Sequence, residues 1–238
     1  MKNSFFAGLL SLTVMISCQP DKQLTNYVNP LLGTATLWET KDLGYERHLK
    51  TRTWGAEVFP GSSVPNAMVQ LSPVTQFRSG AGYQYEDTVI YGFSHTNKGH
   101  WNLLHLPVLP VTGNVSSGDY ASTYSHSNES ARPGYYQVFL ERYGVNAELT
   151  STLRCAYHKY TFRPDDDKKV LVDITRTNNG VRDWSIQKVD DYTFSGNQDA
   201  EGNIRFYAVS NYKIEDVRQL KDGEHEVSII SFADSKGS

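Results

Sequence analysis

Between Trp54 and Trp101 the chain sets tryptophan, histidine, asparagine and glutamate among glycines and prolines. The run Trp54-Gly-Ala-Glu57-Val-Phe59-Pro60-Gly61 leads through Pro65 to Pro73 into a glycine-rich turn, Gly80-Ala-Gly82-Tyr83. Gly92-Phe93-Ser94-His95-Thr96-Asn97-Lys-Gly99-His100-Trp101 then follows. An ordinary hydrophobic strand has no use for this mixture, but a loop that closes over a sugar does. Aromatic faces stack on the C–H faces of the ring, while Asn, His, Glu and backbone groups read its hydroxyls. Trp54, Glu57, His95, His100 and Trp101 are therefore the candidate sugar contacts.

Each candidate has a plainer alternative. Glu57 could cap or pair within its own loop, Trp54 could anchor that loop, and His95 could be a satisfied, partly buried histidine that organises it. Gly99 permits a tight exposed loop beside His100 and Trp101. His95, His100 and His105 stand five residues apart on an irregular or extended segment, a spacing that does not converge on zinc. Inverting hydrolysis of a glycoside needs two carboxyl groups about 6.5–9.5 Å apart. Glu86 and Asp87 are adjacent, would face opposite sides of a strand, and are better placed to flank the turn before Val89-Ile90. No catalytic acid or base is assigned to the chain.

The elements that must position these residues read as strands. Tyr136, Val138 and Leu140 alternate with Gln137, Phe139 and Glu141, and His158, Tyr160 and Phe162 with Lys159 and Thr161. Ile204, Phe206 and Ala208 alternate with Arg205 and Tyr207 in the same period of two. Val170-Leu-Val-Asp-Ile174 is a short apolar run expected to be buried on both faces, after a charged turn at Asp165–Lys169. Asn179-Gly180, Gly196-Asn197, Glu201-Gly202-Asn203 and Asp222-Gly223 are turn signals. Residues 33–53 read as a long polar loop, Trp38 and Trp184 as structural, and Cys155 as a small buried hydrophobe. Tyr124 to Tyr136 should build a turn and a strand start, with Asn128 and Glu129 satisfying local backbone groups. The expected fold is all-β, a large antiparallel β-sandwich with few or no long helices.

With 39% hydrophobic residues, 15 Tyr and 10 Phe in 238 residues, the chain is globular and can fill one large β domain. A formal charge of −3 without a basic stripe argues against nucleic acid and anionic membrane surfaces as partners. Lys2 and the apolar stretch Phe5–Ile16, too short to span a bilayer, form a targeting segment. Ser17-Cys18 at its end reads as a bacterial lipoprotein signal: residues 1–17 removed, Cys18 lipidated, residues 18–26 a tether. That reading places the protein in the cell envelope of a Gram-negative bacterium, touching membrane only through its lipid. Acylated Cys18 would leave Cys155 without a disulfide partner.

Several blocks carry a family resemblance: Tyr27-Val-Asn-Pro30 to Gly33-Thr34, Phe59-Pro60-Gly61, Pro65 to Pro73, and Gly92-Phe93-Ser94-His95-Thr96. Tyr124-Ser-His126-Ser-Asn128-Glu129, Ala131-Arg-Pro133-Gly134-Tyr135-Tyr136, and Ala147-Glu148-Leu149-Thr150 through Arg154, His158, Tyr160 and Phe162 continue it. In this order they resemble the N-terminal half of the exo-α-mannosidases of glycoside hydrolase family 92. The resemblance implies a sandwich of the galactose-mutarotase-like, supersandwich type over residues 27–238. It also implies inverting removal of terminal α-mannose from N-glycans or mannans, with a calcium ion on the mannose hydroxyls. The acid and base would come from a helical barrel domain that this chain does not contain, so the sandwich would give one wall of the pocket and be inactive alone. Asn97-Lys-Gly-His100-Trp101 departs from the commoner family pattern, so linkage preference does not transfer. The alternative is a stand-alone lipid-anchored module that binds mannose-containing glycans without catalysis.

Overall fold

In this computed structural model, residues 23–36, 56–98, 101–223 and 225–233 are described, the side chains of Asn97, Lys98 and Trp101 excepted. The strands in chain order are β1 (Ser72–Val74), β2 (Val89–Ile90), β3 (Gly92–Ser94), β4 (Asn97–Lys98), β5 (Trp101–Asn102), β6 (Val108–Val111), β7 (Ser122–Thr123) and β8 (Glu129–Arg132). They continue with β9 (Tyr135–Leu140), β10 (Val145–Ser151), β11 (Ala156–Thr161), β12 (Lys169–Val172), β13 (Asp183–Lys188), β14 (Thr193–Ala200), β15 (Gly202–Val209), β16 (Ile214–Asp222) and β17 (His225–Phe232). The helices among the described residues are two short 3-10 turns, Leu24–Tyr27 and His126–Asn128. The first of them begins inside the segment read as a tether. No described helix is long and apolar enough to cross a membrane.

Side-chain alternation sorts the strands into layers. In β9, Tyr136, Val138 and Leu140 are buried while Tyr135, Gln137 and Phe139 are only half-buried. That period of two turns one face of the four-stranded sheet β11-β10-β9-β8 toward the core. Opposite it lies a six-stranded antiparallel sheet in the order β1-β3-β6-β12-β17-β16. Phe93, Leu109, Val111, Leu171, Val227 and Ile229 from this sheet meet Tyr136, Val138, Leu140, Val145, Ala147 and Leu149 from the other. Each fully buried Leu or Ile here contributes roughly 1.5–3 kcal/mol.

The six-stranded sheet has a second core on its other face, under the three-stranded sheet β13-β14-β15. Val170, Val172, Ile174, Ile214 and Ile230 pack there with Ile186 and Phe194, and Ile204, Phe206, Ala208 and Trp184 complete it. β12 is thus apolar on both faces because it serves two cores, Leu171 on one side and Val170 and Val172 on the other. The architecture is the expected all-β sandwich, with three layers.

Three local expectations are corrected. Gly196-Asn197 is no turn but lies inside β14, where Gly196 pairs with Ile186 and Phe206. A Cβ on Gly196 would meet the Ser185 carbonyl oxygen at 2.1 Å and the Phe206 ring at 2.7 Å, so the glycine serves packing rather than turning. Cys155 is exposed in the β10–β11 connection, not buried. The Glu129 carboxyl bonds to the side chains of Tyr83, Tyr136 and His126 rather than to local backbone, as described below. Of the long loop assigned to 33–53, only Gly33–Thr36 are among the described residues, and Trp38 lies outside them.

Candidate functional site

Glu57 has a φ of +52°, a left-handed conformation uncommon for a residue with a Cβ. Its carboxyl group lies against Gly80: a Cβ on that glycine would stand 2.9 Å from Oε1. Gly82 takes a φ of +77°, and its missing Cβ makes room for Asn102 Nδ2, 2.7 Å from the Cβ position, and Leu104 Cδ2, at 2.8 Å. The glycine-rich turn is therefore clasped between Glu57 and Asn102, and a side chain at either glycine would force them apart.

Asn102, wholly buried, stitches this turn to the strand carrying His95. Its Nδ2 donates to the Ala81 carbonyl at 3.0 Å and to Ser94 Oγ at 3.2 Å, and its Oδ1 accepts from the Leu104 N–H at 2.8 Å. The main-chain N–H of Asn102 donates to the Gly80 carbonyl at 2.6 Å. Asn178 donates to the carbonyls of Ser79 (3.0 Å) and Asn102 (2.5 Å) and accepts from the Arg78 N–H at 2.6 Å. The buried amides are thus satisfied by one another and by the turn, as burial demands.

His95 is held on both ring nitrogens. Nδ1 lies 2.8 Å from the Leu106 carbonyl oxygen and Nε2 lies 3.0 Å from Nε2 of His158, whose Nδ1 is 2.7 Å from the Tyr160 hydroxyl. Burial pushes the His95 pKa down to about 4 and holds His158 well below the usual histidine range. His105 is fully buried with Nδ1 2.7 Å from Thr96 Oγ1 and Nε2 without a partner among the described residues. Leu104 and Leu106 on either side of it have φ of +56° and +51°. Leu106 is held there by Gln198, whose Oε1 accepts its N–H at 3.1 Å.

Among the described residues the left-handed non-glycine positions are Glu57, Asn66, Arg78, Leu104 and Leu106. Glu57, Asn66 and Arg78 lie within the block singled out in the sequence, and Leu104 and Leu106 follow just after its end at Trp101. Each such residue costs about 1–2 kcal/mol, and such strain persists where the surroundings over-determine it, commonly at ligand sites.

Of the predicted contacts, Glu57 and His95 come into one loop assembly without touching, joined through Gly80, Asn102 and Ser94. The backbone of Trp101 pairs with Lys98 in the β4–β5 ribbon. Trp54, His100 and Cys18 lie outside the described residues, as does the side chain of Trp101. Glu86 and Asp87 are both engaged: Glu86 accepts from the Thr36 N–H at 2.9 Å, and Asp87 from Thr75 Oγ1 at 2.7 Å.

Two buried carboxylates escaped the sequence reading. Glu129 Oε1 accepts from the hydroxyls of Tyr83 (3.0 Å) and Tyr136 (2.6 Å), and its Oε2 lies 2.6 Å from His126 Nδ1. Burial and the Glu129 charge hold both tyrosine hydroxyls protonated, far above their usual range. Asp173, at the end of β12, accepts from the Tyr120 hydroxyl and lies 3.1 Å from His225 Nε2, with Arg176 Nε at 3.9 Å. Both carboxylates are saturated by donors of the sandwich itself and so hold it together. No group of three or more His, Cys, Asp or Glu among the described residues could hold a metal ion.

A family model described as the N-terminal domain of glycosyl hydrolase family 92 matches residues 27–224, well past the block that ends at Phe162. Among solved structures, a family 92 α-mannosidase from Bacteroides thetaiotaomicron matches with a TM-score of 0.73 at 28% identity, over 89% of this chain and 32% of that one. The same enzyme in complex with mannoimidazole matches with a TM-score of 0.73 at 27% identity, over 89% of this chain and 30% of that one. An inverting mannosidase of the family from the same organism shares the fold, with a TM-score of 0.70 at 22% identity over 90% of this chain and 30% of that one. No curated protein sequence matches. The chain therefore spans 30–32% of the length of these enzymes. It belongs to glycoside hydrolase family 92, whose N-terminal domain it carries.

Proposed function

We propose that this chain is the N-terminal sandwich of a lipid-anchored inverting exo-α-mannosidase of the bacterial cell envelope. The whole enzyme would remove terminal α-mannose from N-glycans or mannans. The observation that supports this best is the coincidence of family membership with strained loops. Three of the five left-handed positions, Glu57, Asn66 and Arg78, lie in the segment whose residue types suit a sugar, and Leu104 and Leu106 adjoin it. One family relative is a mannosidase complexed with mannoimidazole.

In this reading the loop end forms one wall of the pocket. Glu57 and the aromatic side chains of Trp54 and Trp101 would face the sugar, with His100. His95, tied to Leu106 and His158, holds the wall in shape. The acid, the base and the calcium ion would belong to a helical domain joined to this one, so this chain alone would not turn over.

The test is to join the chain to the remaining two thirds of the Bacteroides α-mannosidase and assay release of mannose from an aryl α-mannoside. The fusion should be active and the isolated chain no faster than a matched control. Glu57→Ala should lower kcat/KM of the fusion by about tenfold, the loss of about 1.4 kcal/mol of transition-state binding. Turnover by the isolated chain sinks the assignment. An inactive fusion whose isolated sandwich binds mannobiose would instead favour the carbohydrate-binding module.

A further inference from the structure

The alternation that sends His158 and Tyr160 of β11 inward to His95 sends Tyr157 and Lys159 outward, onto the far face of the four-stranded sheet. That face is separated from the loop end by the sheet itself. Its central cross-strand pairs are Ser130 with Gln137, Gln137 with Glu148, and Phe139 with Asn146. A hollow of about 530 Å³ opens there over Asn128, Ser130, Gln137, Phe139 and Asn146. This is within the size range of small-ligand sites, roughly 300–1,000 Å³.

The polar groups on this face are locked by one another. Tyr135 donates its hydroxyl to Glu148 Oε1 at 2.8 Å and lies 3.0 Å from Gln137 Oε1. Gln137 Nε2 donates to Asn146 Oδ1 at 3.0 Å, and no group among the described residues takes the N–H bonds of Asn146. Lys159 pairs with Glu148 at 2.8 Å, cancelling the charges at the hollow's edge. Glu129 borders the hollow too, but its carboxyl is wholly buried in the core. What remains is an uncharged floor of fixed amide and hydroxyl groups, with the half-buried Phe139 ring in it and the Tyr135 and Tyr157 rings beside it on the same face.

We propose that this outer face is a second carbohydrate-binding site, distinct from the loop-end wall, that takes a neutral oligosaccharide. Pre-arranged amides and hydroxyls read sugar hydroxyls without losing side-chain entropy, and the Phe139 ring offers a platform for a C–H face. The hollow's own lining holds no lysine or arginine to take a phosphate. Phe139 is half-buried and the Tyr135 ring lies under Arg132, so the face offers little contiguous apolar area to seat a stable protein partner.

The experiment is a 15N-edited NMR titration of the 238-residue chain with mannotriose, maltotriose and cellotriose. Concentrations of about 10 mM suffice to fill a site of roughly millimolar affinity. The side-chain amides of Gln137 and Asn146 and the backbone of 128–130 should shift with at least one of the three. The paired variant Gln137→Ala and Asn146→Ala should weaken that binding by about tenfold. Ser130→Arg, an exposed position on the face, should block it at an unchanged Tm. Shifts confined to residues 57–106, no shift with any of the three sugars, or shifts that follow protein concentration instead of sugar would overturn the proposal. Loop-end shifts alone would leave the proposed mannosidase role standing, so the two ideas fail separately.

Discussion

His95 and His158 face each other through Nε2 at 3.0 Å, and the geometry dictates where every proton in their chain sits. The Leu106 carbonyl can only accept, so His95 Nδ1 carries a proton. Neutral His95 then accepts at Nε2, which makes His158 Nε2 the donor and His158 Nδ1 the acceptor for the Tyr160 hydroxyl. Tyr160, His158, His95 and Leu106 form one directed relay, and a proton added to either ring would place a charge in the buried interior.

Stability should therefore fall in acid. An unfolded histidine titrates near 6.5, whereas folded His95 does so only near about 4. Between those values the unfolded state holds more protons, so stability is full above about pH 6.5 and declines as pH drops toward 4. His95 alone accounts for about 3 kcal/mol across that window, and His158 acts in the same direction. Urea unfolding at pH 7 and pH 4.5 measures it. The variant His158→Gln should be less stable at pH 7 and show a shallower pH slope; an equal slope in both proteins would refute the relay.

The glycine clasp gives a second test. Gly82→Ala must hold an alanine at a φ of +77° and press its Cβ on Asn102 and Leu104. Left-handed strain of about 1–2 kcal/mol and overpacking of about 1–3 kcal/mol add to a loss of roughly 2–5 kcal/mol. Gly113→Ala is the control: its φ is +66° but nothing lies within 4 Å of the Cβ position, so only the strain remains. Equal losses for the two variants in chemical denaturation would mean that the clasp is not tight.

Glu129 is a buried anion held by two tyrosines and a histidine. Removing one donor by Tyr136→Phe should cost about 1.5–3 kcal/mol, the usual worth of a hydrogen bond to a charged group. Glu129→Gln should cost at least as much, because every one of the three hydrogen bonds then loses its charged partner. Thermal unfolding of the two variants decides; a Glu129→Gln protein as stable as wild type would show that the carboxyl is not ionised.

Cys155 offers the simplest measurement. Being exposed, its thiol should react completely with a disulfide reagent in the native protein, without denaturant. Labelling that requires unfolding would restore the buried reading.

How far these relationships were legible depends on their reach along the chain. The alternation in β9 and β11 and the doubly apolar β12 are local patterns, and each maps onto the observed layers. Gly196 misled because a glycine beside an asparagine usually turns, whereas here the ring of its cross-strand partner Phe206 occupies the place of its missing side chain. Cys155 misled because the strand pattern around it stops at Ser151 and resumes at Ala156. Within the candidate site, Glu57 and His95 stood out by type. Their supports did not: His158 is 63 positions from His95, Tyr83 is 46 from Glu129, and Asn178 is 76 from Asn102. Partners that distant leave no periodic trace.

The shared middle sheet governs how this protein can be made. β12 pairs on one side with β6 and on the other with β17, whose last residue is Phe232. Until that strand has left the ribosome, β12 has a raw edge and both cores lack Val227, Ile229 or Ile230. Neither outer layer can be finished as a separate folding unit, so the nascent domain must wait for β17 before either core closes.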